Sequence, residues 1–364
     1  CSTPSSGASL LKKYTSGQVV KVEGFMSAIC FALLATIVCA QWIQAAERNI
    51  IVFVTDDESP TLGCYGDHVA VTPAIDAMAA DGVVFDNAFA TTASCSASRS
   101  VFLSGLHNHT NGQYGHQHDF HKFASWYDVV SLSLPRALAR AEYRTARIGK
   151  YHVAPEEVYH FETVLKGNPR NAVQMADASA EVINLKSDKP FFLYLPLYAP
   201  HIPLIKKSDP YYKKFPKLDY PHYDDWRDDL RRMGLALIKS IDDAVGGVMT
   251  KLREHGLEEN TMILFASDNG APSKMGKEEP GLPAGAPGKK GGVWNGSNNV
   301  PMRGEKGSLF EGGIRVPMFA YWKGKIIPGN IIEEMVTTLD LSATTLKAGG
   351  GVIPDEFDGV DLLP

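Results

Sequence analysis

Apolar runs that suit buried β-strands alternate with helical patterns along most of this chain. The run NIIVFVT at residues 49–55 is rich in β-branched residues, as strands buried on both faces of a parallel sheet are. Similar runs occupy residues 83–89, 143–149, 190–198, 261–267 and 315–321. Helical patterns lie between them at residues 73–81, 131–141, 172–186 and 226–255. This alternation predicts an α/β domain with a mostly parallel sheet flanked by helices.

Polar residues follow four of the predicted strands at the points where those strands end. They are Asp56, Asp57, Lys150, His152, His201, Asp268 and Asn269. Ligands of open α/β sheets bind beyond the carboxyl ends of the strands. We therefore expect these side chains to meet at one edge of the sheet and to form a polar site there.

The charge and the cysteine content exclude two classes of protein. The chain carries 36 Lys and Arg against 41 Asp and Glu, a formal net charge of −5. Nucleic-acid-binding proteins normally show a basic surface, so no nucleic-acid partner is expected. Of the five cysteines, only Cys64 and Cys95 lie beyond residue 46. The sequence therefore lacks the cysteines for a disulfide framework, and Cys95 needs a chemical explanation.

Residues 1–46 are interpreted as a signal or upstream segment that precedes a catalytic domain at residues 47–364. Residues 26–40 (MSAICFALLATIVCA) are apolar over the length of a signal-peptide core and are short for a membrane span. We expect an exported protein, whether periplasmic, lysosomal-like or extracellular, with no stable membrane insertion after cleavage. An uncleaved membrane anchor is the alternative.

Two long segments are predicted to be loops over the site. Residues 199–232 mix aromatic residues with both signs of charge, and residues 271–306 are rich in glycine and proline. Structureless loops of this length are usually functional or disordered. Within the second segment, residues 281–290 resemble a phosphate-binding loop only superficially, because Gly288-Lys289 is not followed by Ser or Thr.

Cys95 lies in the sequence SCSASRS, among small polar residues rather than apolar ones. Here the chain resembles the type I sulfatases, whose signature is Cys-x-Pro-Ser-Arg. Cys95, Ser98 and Arg99 match it, whereas Ala97 stands where proline is commonest. Further blocks match in the same order: NIIVFVTDD, TPAIDAMAADGVVFDNAFA, GKYH, APHIP, SDNG and GEKGSLFEGGIRVP.

This resemblance implies the fold and the cofactors. It implies an alkaline-phosphatase-like fold with a smaller C-terminal sheet domain, which would be mostly missing from a chain ending in FDGVDLLP. It implies that a maturation enzyme oxidises Cys95 to formylglycine, whose hydrated aldehyde is the nucleophile. A divalent cation, Ca²⁺ or Mg²⁺, would be held by Asp56, Asp57, Cys95, Asp268 and Asn269, most of which offer the oxygen ligands that these ions prefer. In isolation, SDNG could equally be a turn and Asp56-Asp57 a helix cap.

The resemblance also implies catalytic roles. Arg99 would balance the anion, Lys150 and Lys306 would hold sulfate oxygens, His152 would act as a base and His201 as a general acid. The implied function is hydrolysis of sulfuric ester or sulfamate bonds in a sulfated glycan such as a glycosaminoglycan. The alternatives are a phosphatase or phosphodiesterase of the same superfamily and a non-catalytic glycan-binding homologue.

A histidine-rich stretch, residues 107–121, allows two interpretations. Its histidines, His107, His109, His116, His118 and His121, have spacings that could ligate zinc, although only Asp119 could complete the set. Alternatively, GQYGHQHDFHKF at residues 112–123 resembles the N-sulfoglucosamine sulfohydrolase branch, in which such residues line the pocket. With Lys289, Lys290 and Arg303, this stretch would then select the substrate.

Overall fold

Strand β1, Asn49–Thr55, lies at the centre of the main sheet in the computed structural model, which describes residues 48–218, 225–273 and 294–363. Every residue of β1 is buried, as its apolar sequence predicts. The neighbouring strands are Phe191–Pro196 on one side and Thr261–Ser267 on the other, and both are parallel to β1. Thr55 pairs with Ser267, so the residues that follow these two strands leave the sheet side by side.

The described residues form an eight-stranded mixed sheet in the order β5-β4-β6-β1-β7-β8-β2-β9. The further strands are β2 Val83–Phe85, β3 Ala88–Phe89, β4 Arg144–Arg147, β5 Thr163–Val164, β6 Phe191–Pro196, β7 Thr261–Ser267, β8 Met318–Tyr321, β9 Asn330–Ile332 and β10 Val336–Thr337. Strand β8 runs antiparallel to β7 and β2, and the other pairs of this sheet are parallel. The prediction of a mostly parallel sheet is confirmed.

Helices cover both faces of the sheet. The α-helices are α1 Pro73–Ala80, α2 Cys95–Ser104, α3 Asn108–Asn111, α4 Leu134–Arg140, α5 Ala172–Ala178, α6 Ala180–Ile183, α7 Asp225–Glu254, α8 Glu311–Ile314 and α9 Thr338–Ala348. Short 3-10 turns occupy Gly63–Tyr65, Tyr127–Ser131, Tyr212–Lys214 and Glu258–Asn260. Because successive side chains of a strand point to opposite faces, Ile50 and Val52 pack with α2 and α9, whereas Ile51 and Phe53 pack with α1, α5 and α7.

The structure corrects several predicted boundaries. The run 83–89 forms two strands rather than one. The chain turns after β2, and strand β3 then pairs with β10 in a separate small sheet. The helical pattern at 131–141 begins later, at Leu134, where Pro135 occupies the first turn and fits a helix start. The pattern at 172–186 is divided into α5 and α6.

The predicted loop at residues 199–232 is partly wrong. Residues 225–232 are the first turns of the 30-residue helix α7, and Tyr212 and Phe215 are buried. Two of the aromatic residues in the predicted loop over the site, Tyr212 and Phe215, therefore anchor the segment against the helical layer. The remainder of the predicted loops includes residues 219–224 and 274–293, which lie outside the described residues.

The described residues belong to one compact unit, Ala46–Pro364. None of the helices within residues 48–363 that the structure describes is long and apolar enough to cross a bilayer. The predicted signal segment, residues 1–46, lies outside the described residues. Both the division at residue 46 and the expectation of a missing C-terminal domain stay predictions.

Candidate active site

Two pairs of residues with oxygen-bearing side chains, Asp56-Asp57 and Asp268-Asn269, meet where β1 and β7 end. Asp57 has a left-handed backbone (φ 63°), and its amide donates a hydrogen bond of 3.1 Å to Oδ1 of Asp268. Asn269 donates from Nδ2 to Oδ1 of Asp57 over 2.8 Å. The amide of Asp268 bonds to the Thr55 carbonyl at 3.1 Å, which fixes the second strand end against the first. The parallel register thus gathers all four side chains in one buried patch.

This patch can hold a cation. Oδ1 of Asn269 is buried and has no hydrogen-bond partner among the described residues, so an oxygen lone pair is left for a ligand. Ligand atoms of Asp56, Asp57, Cys95 and His201 lie within 4.8 Å of one another. Asp268 lies outside that group, and its Oδ2 accepts a hydrogen bond of 2.8 Å from Nε of Arg99. The donor set is mainly oxygen, which fits a hard divalent cation.

Cys95 is the first residue of α2, and it is 1% exposed. Its Sγ lies 3.4 Å from Oδ1 of Asp56 and 3.5 Å from Oδ1 of Asp57, and Nζ of Lys306 donates to it over 3.0 Å. Burial, together with the carboxylates of Asp56 and Asp57, raises the pKa of the thiol well above its usual value. The unmodified side chain is therefore a neutral thiol and a poor nucleophile.

Three cationic side chains surround these acids. Arg99, one helical turn after Cys95, donates from Nε to Asp268 and from Nη1 to the Lys150 carbonyl over 3.0 Å. Lys150 forms an ion pair with Asp56, and Lys306 lies 2.6 Å from Oδ1 of Asp57. Burial works against the charge of Lys306, but Asp57 outweighs it and raises the pKa of that lysine. The site therefore keeps fixed positive charge beside Cys95.

The two predicted catalytic histidines occupy different surroundings. Burial and the neighbouring Lys150 and Arg99 lower the pKa of His152 to about 2, so this ring is neutral. His201 donates from Nδ1 to the carbonyl of Ile202 over 2.6 Å. Its Nε2 therefore faces the site, 3.5 Å from Oδ2 of Asp57.

Lys306 reaches Cys95 because its loop is fastened on two sides. Its amide donates to the Ala271 carbonyl at 3.0 Å, and the amide of Gly307 donates to the Ala93 carbonyl at 2.9 Å. Gly270 allows this approach, since a Cβ there would lie 2.2 Å from the carbonyl oxygen of Gly312. These bonds connect the loop to the end of β7 and to the segment before α2.

The structure adds two residues, Asn295 and Tyr198, to the predicted site, and it places two histidines of the predicted pocket stretch 112–123 beside His152. Asn295 donates from Nδ2 to the Asp57 carbonyl at 2.8 Å, and the Tyr198 ring lies 4.8 Å from Nζ of Lys150. His116 and His118 approach His152, with ring centroids 4.8 and 5.7 Å away. The position of Tyr198 at the site could have been predicted from the sequence, because this residue closely follows a buried strand. No sequence pattern predicts that Asn295 lies at the site, because it belongs to a long predicted loop whose path the sequence does not define.

A zinc site of all five histidines does not form, because only His116 and His118 converge, together with Asp119, among the residues that the structure describes. Among the residues that the structure describes, His107, His109 and His121 belong to no group of converging metal ligands. His107 and His109 stack on each other, and His121 packs near Phe120 and Phe123. Arg303 is exposed and lies over Phe310, and the proposed substrate-binding Lys289 and Lys290 fall outside the described residues.

Comparisons with known structures define the fold class. Residues of this chain superpose on the solved Ps i-CgsB in complex with k-i-k-neocarrahexaose with a TM-score of 0.71, at 23% identity, over 87% of this chain and 75% of that one. The phosphonate monoester hydrolase of Agrobacterium radiobacter gives a TM-score of 0.64 at 19% identity, over 86% and 76%. The chain has the alkaline-phosphatase-like α/β fold, as predicted.

The family follows from the sequence. A model of the family described as Sulfatase matches residues 48–352, and the chain belongs to that family. It is 32% identical to N-sulphoglucosamine sulphohydrolase of Homo sapiens, over 69% of this chain and 55% of that protein. It is 26% identical to N-acetylgalactosamine-6-sulfatase of Rattus norvegicus, over 87% of this chain and 65% of that protein. The chain thus spans between about half and two thirds of the length of these relatives.

Proposed function

We propose that this chain is an exported hydrolase that releases sulfate from a sulfated glycan by hydrolysing a sulfate ester or a sulfamate bond. The observation that carries the proposal is the setting of Cys95, which starts a buried helix between the carboxylates of Asp56 and Asp57 and the ammonium of Lys306. The names of the sulfated-sugar hydrolases among its relatives support the substrate class.

The nucleophile and the cation are part of the proposal. A maturation enzyme would convert Cys95 to formylglycine, and Asp56, Asp57, Asp268 and Asn269 would hold Ca²⁺ or Mg²⁺. When present, the hydrated aldehyde supplies a hydroxyl nucleophile, and the cation lowers the pKa of that hydroxyl. The neutral, buried thiol of Cys95 and the unpartnered Oδ1 of Asn269 support these assignments.

The charged residues bind and stabilise the sulfate group. Arg99, Lys150 and Lys306 place positive charge around Cys95, where negative charge grows on the sulfuryl oxygens. The amide groups at the start of α2, which lack intrahelical partners, would face an anion bound at the same place. Ion pairs with Asp56, Asp57 and Asp268 hold the three cations in position before substrate binds.

The two histidines move protons on opposite sides of the reaction. His201 presents Nε2 to the site and, when protonated, donates that proton to the departing oxygen or nitrogen. The ring of His152 is neutral, and its match to the GKYH block implies that it would accept a proton when sulfate is released. A phosphatase of the same superfamily would use Ser or Thr at the position of Cys95, and a glycan-binding homologue would release no sulfate. Measurement of sulfate release by the matured chain separates these alternatives from the proposal.

Substitution of Lys306 by methionine should lower kcat for sulfate release by about 10²- to 10³-fold, since it removes one charge-stabilising donor. Methionine is an unbranched, uncharged side chain one atom shorter than lysine, and the backbone hydrogen bonds that hold this loop do not involve the side chain of residue 306. The matched control is Lys251→Met, which removes a lysine near the exposed Asp177. Steady-state kinetics should show the loss in kcat for Lys306→Met alone. Equal rates for the two variants would contradict the role of Lys306.

The preference between sulfamate and ester substrates should change in His118→Ala. His118 is exposed and stacks parallel to His152 at 5.7 Å, so it lines the approach to the base. We expect the ratio of kcat/KM for N-sulfated over 6-O-sulfated glucosamine to change by about tenfold, the effect of one substrate contact. His121→Ala is the control. An unchanged ratio in His118→Ala would assign the choice of leaving group to other residues.

A further inference from the structure

We propose that the unmodified chain binds a thiophilic divalent cation such as Zn²⁺ through Cys95, His116 and His152. This soft-metal site shares Cys95 with the oxygen-rich patch but takes its other ligands from His116 and His152, and it exists only while Cys95 is a thiol. Its existence does not depend on whether the chain hydrolyses sulfate. The fold supplies the cysteine ligand that the histidine-rich stretch lacks in sequence, because α2 places Cys95 beside residues 116 and 152.

The geometry carries the inference. Sγ of Cys95, a ring nitrogen of His116 and a ring nitrogen of His152 lie within 4.8 Å of one another. Zinc binds sulfur at about 2.3 Å and imidazole nitrogen at about 2.0–2.1 Å. Ligand atoms this close therefore reach one ion by small side-chain rotations. A fourth position is left for water, as in zinc sites with three protein ligands.

The two imidazoles are prepared to act as ligands. Nδ1 of His152 is buried and has no hydrogen-bond partner among the described residues. The carboxylate of Asp119 lies 3.4 Å from Nδ1 of His116 and accepts the backbone amide of His116 over 2.7 Å. A carboxylate on the far nitrogen of a histidine is the usual arrangement behind a zinc ligand. Burial lowers the pKa of both rings, which keeps them in the neutral, ligating form.

The donor chemistry separates the two cation sites. Cys95 lies between them, 3.4–3.5 Å from the carboxylates of Asp56 and Asp57 on one side. Thiolate and imidazole ligands favour Zn²⁺, whereas carboxylate and amide oxygens favour Ca²⁺. When Zn²⁺ binds, the thiol proton is released to solvent and a sulfur–zinc bond forms. Formylglycine contains no sulfur, so conversion of Cys95 would remove the site.

A consequence rests on the proposed function. If Cys95 is the residue that a maturation enzyme oxidises, a bound Zn²⁺ occupies the sulfur that the enzyme must reach. Zinc should then slow the conversion of Cys95 in the folded chain. It should not inhibit the matured enzyme through this site, because the sulfur ligand is gone.

Cobalt titration of the full chain, produced without a maturation enzyme, tests the site directly. Co²⁺ replaces Zn²⁺ and gives a thiolate charge-transfer absorption when sulfur is a ligand. With excess Ca²⁺ filling the oxygen site, we expect this absorption at one equivalent of Co²⁺. This absorption should disappear in Cys95→Ser, and that loss would show that no other cysteine is the sulfur ligand. In His152→Ala and in His116→Ala, the absorption should need at least about tenfold more Co²⁺. His121→Ala should match the original chain.

Two further measurements protect the test against misfolded variants. Asp119→Asn changes a surface residue that contacts Nδ1 and the amide of His116, and it should weaken Co²⁺ binding about 10- to 100-fold. Zn²⁺ should also slow alkylation of Cys95, followed by peptide mass spectrometry, in the unsubstituted chain. Charge-transfer absorption that persists unchanged in both histidine variants, or Co²⁺ binding without it, would overturn the proposal. Because no substrate is used, these outcomes are independent of sulfatase activity.

Discussion

Cys95→Ala should abolish sulfate release, with a loss in kcat of about 10⁶-fold, similar to the loss of a hydrolase nucleophile. Cys95 is the residue that the carboxylates, Lys306 and the first turn of α2 all face. Alanine is a strong helix former and fits the buried position, so α2 should persist. The measurement is sulfate release from N-sulfated and 6-O-sulfated glucosamine by chains co-expressed with a maturation enzyme.

The control is Cys64→Ala, which changes the other cysteine of the described residues. The backbone amide of Cys64 donates a hydrogen bond to the carboxylate of Asp76, and alanine at this position would retain that bond. This variant should keep full activity. Mass spectrometry of the Cys95 peptide should show one oxygen in place of sulfur and two hydrogens in the active protein. An active protein whose Cys95 remains a thiol would refute the nucleophile assignment.

Removal of the divalent cation should also abolish activity, and Asp57→Asn should reproduce this loss in the presence of Ca²⁺. Asp57 contributes a carboxylate at the centre of the oxygen-rich patch, within reach of the other donors. An amide retains the shape but removes the charge that holds a hard cation. At free Ca²⁺ about 100-fold above Kd, the bound ion should raise the free energy of unfolding by about 2.7 kcal/mol.

Chemical denaturation with and without Ca²⁺ measures this difference in unfolding free energy. Asp57→Asn should lose the calcium-dependent part. Asp177→Asn removes a carboxylate whose side chain is 65% exposed and should keep it. A metal-free protein with full activity, or calcium stabilisation that survives in Asp57→Asn, would exclude this site.

The sequence predicted which segments along the chain form the sheet, because buried parallel strands have a strong local signature. The apolar run of β1 and the acids that follow it were sufficient to expect a site at the carboxyl ends of the strands. Helix α7 was equally clear, since its apolar face repeats over many turns. The split between β2 and β3 was not predictable, because it depends on pairing with β10, more than two hundred residues later.

The site was predictable only in part, for a related reason. Resemblance to a family identified Cys95, Arg99 and Lys306, and the structure brings these side chains together. The approach of His116 and His118 to His152 is set by the path of a loop rather than by any local pattern. The bond from Asn295 to the backbone of Asp57 likewise joins segments far apart in sequence, so spacing alone carries no sign of it.

The residues on either side of the segment 274–293 are fixed to the site by hydrogen bonds. Before it, the amide of Ser273 donates to the Glu305 carboxylate at 2.8 Å. After it, Asn295 bonds to Asp57, and Nε1 of Trp294 donates to the Ser297 carbonyl at 2.5 Å. Both ends of the segment are thus held beside the reaction centre, so libraries of loops grafted between Ser273 and Trp294 are a direct way to search for altered glycan selectivity.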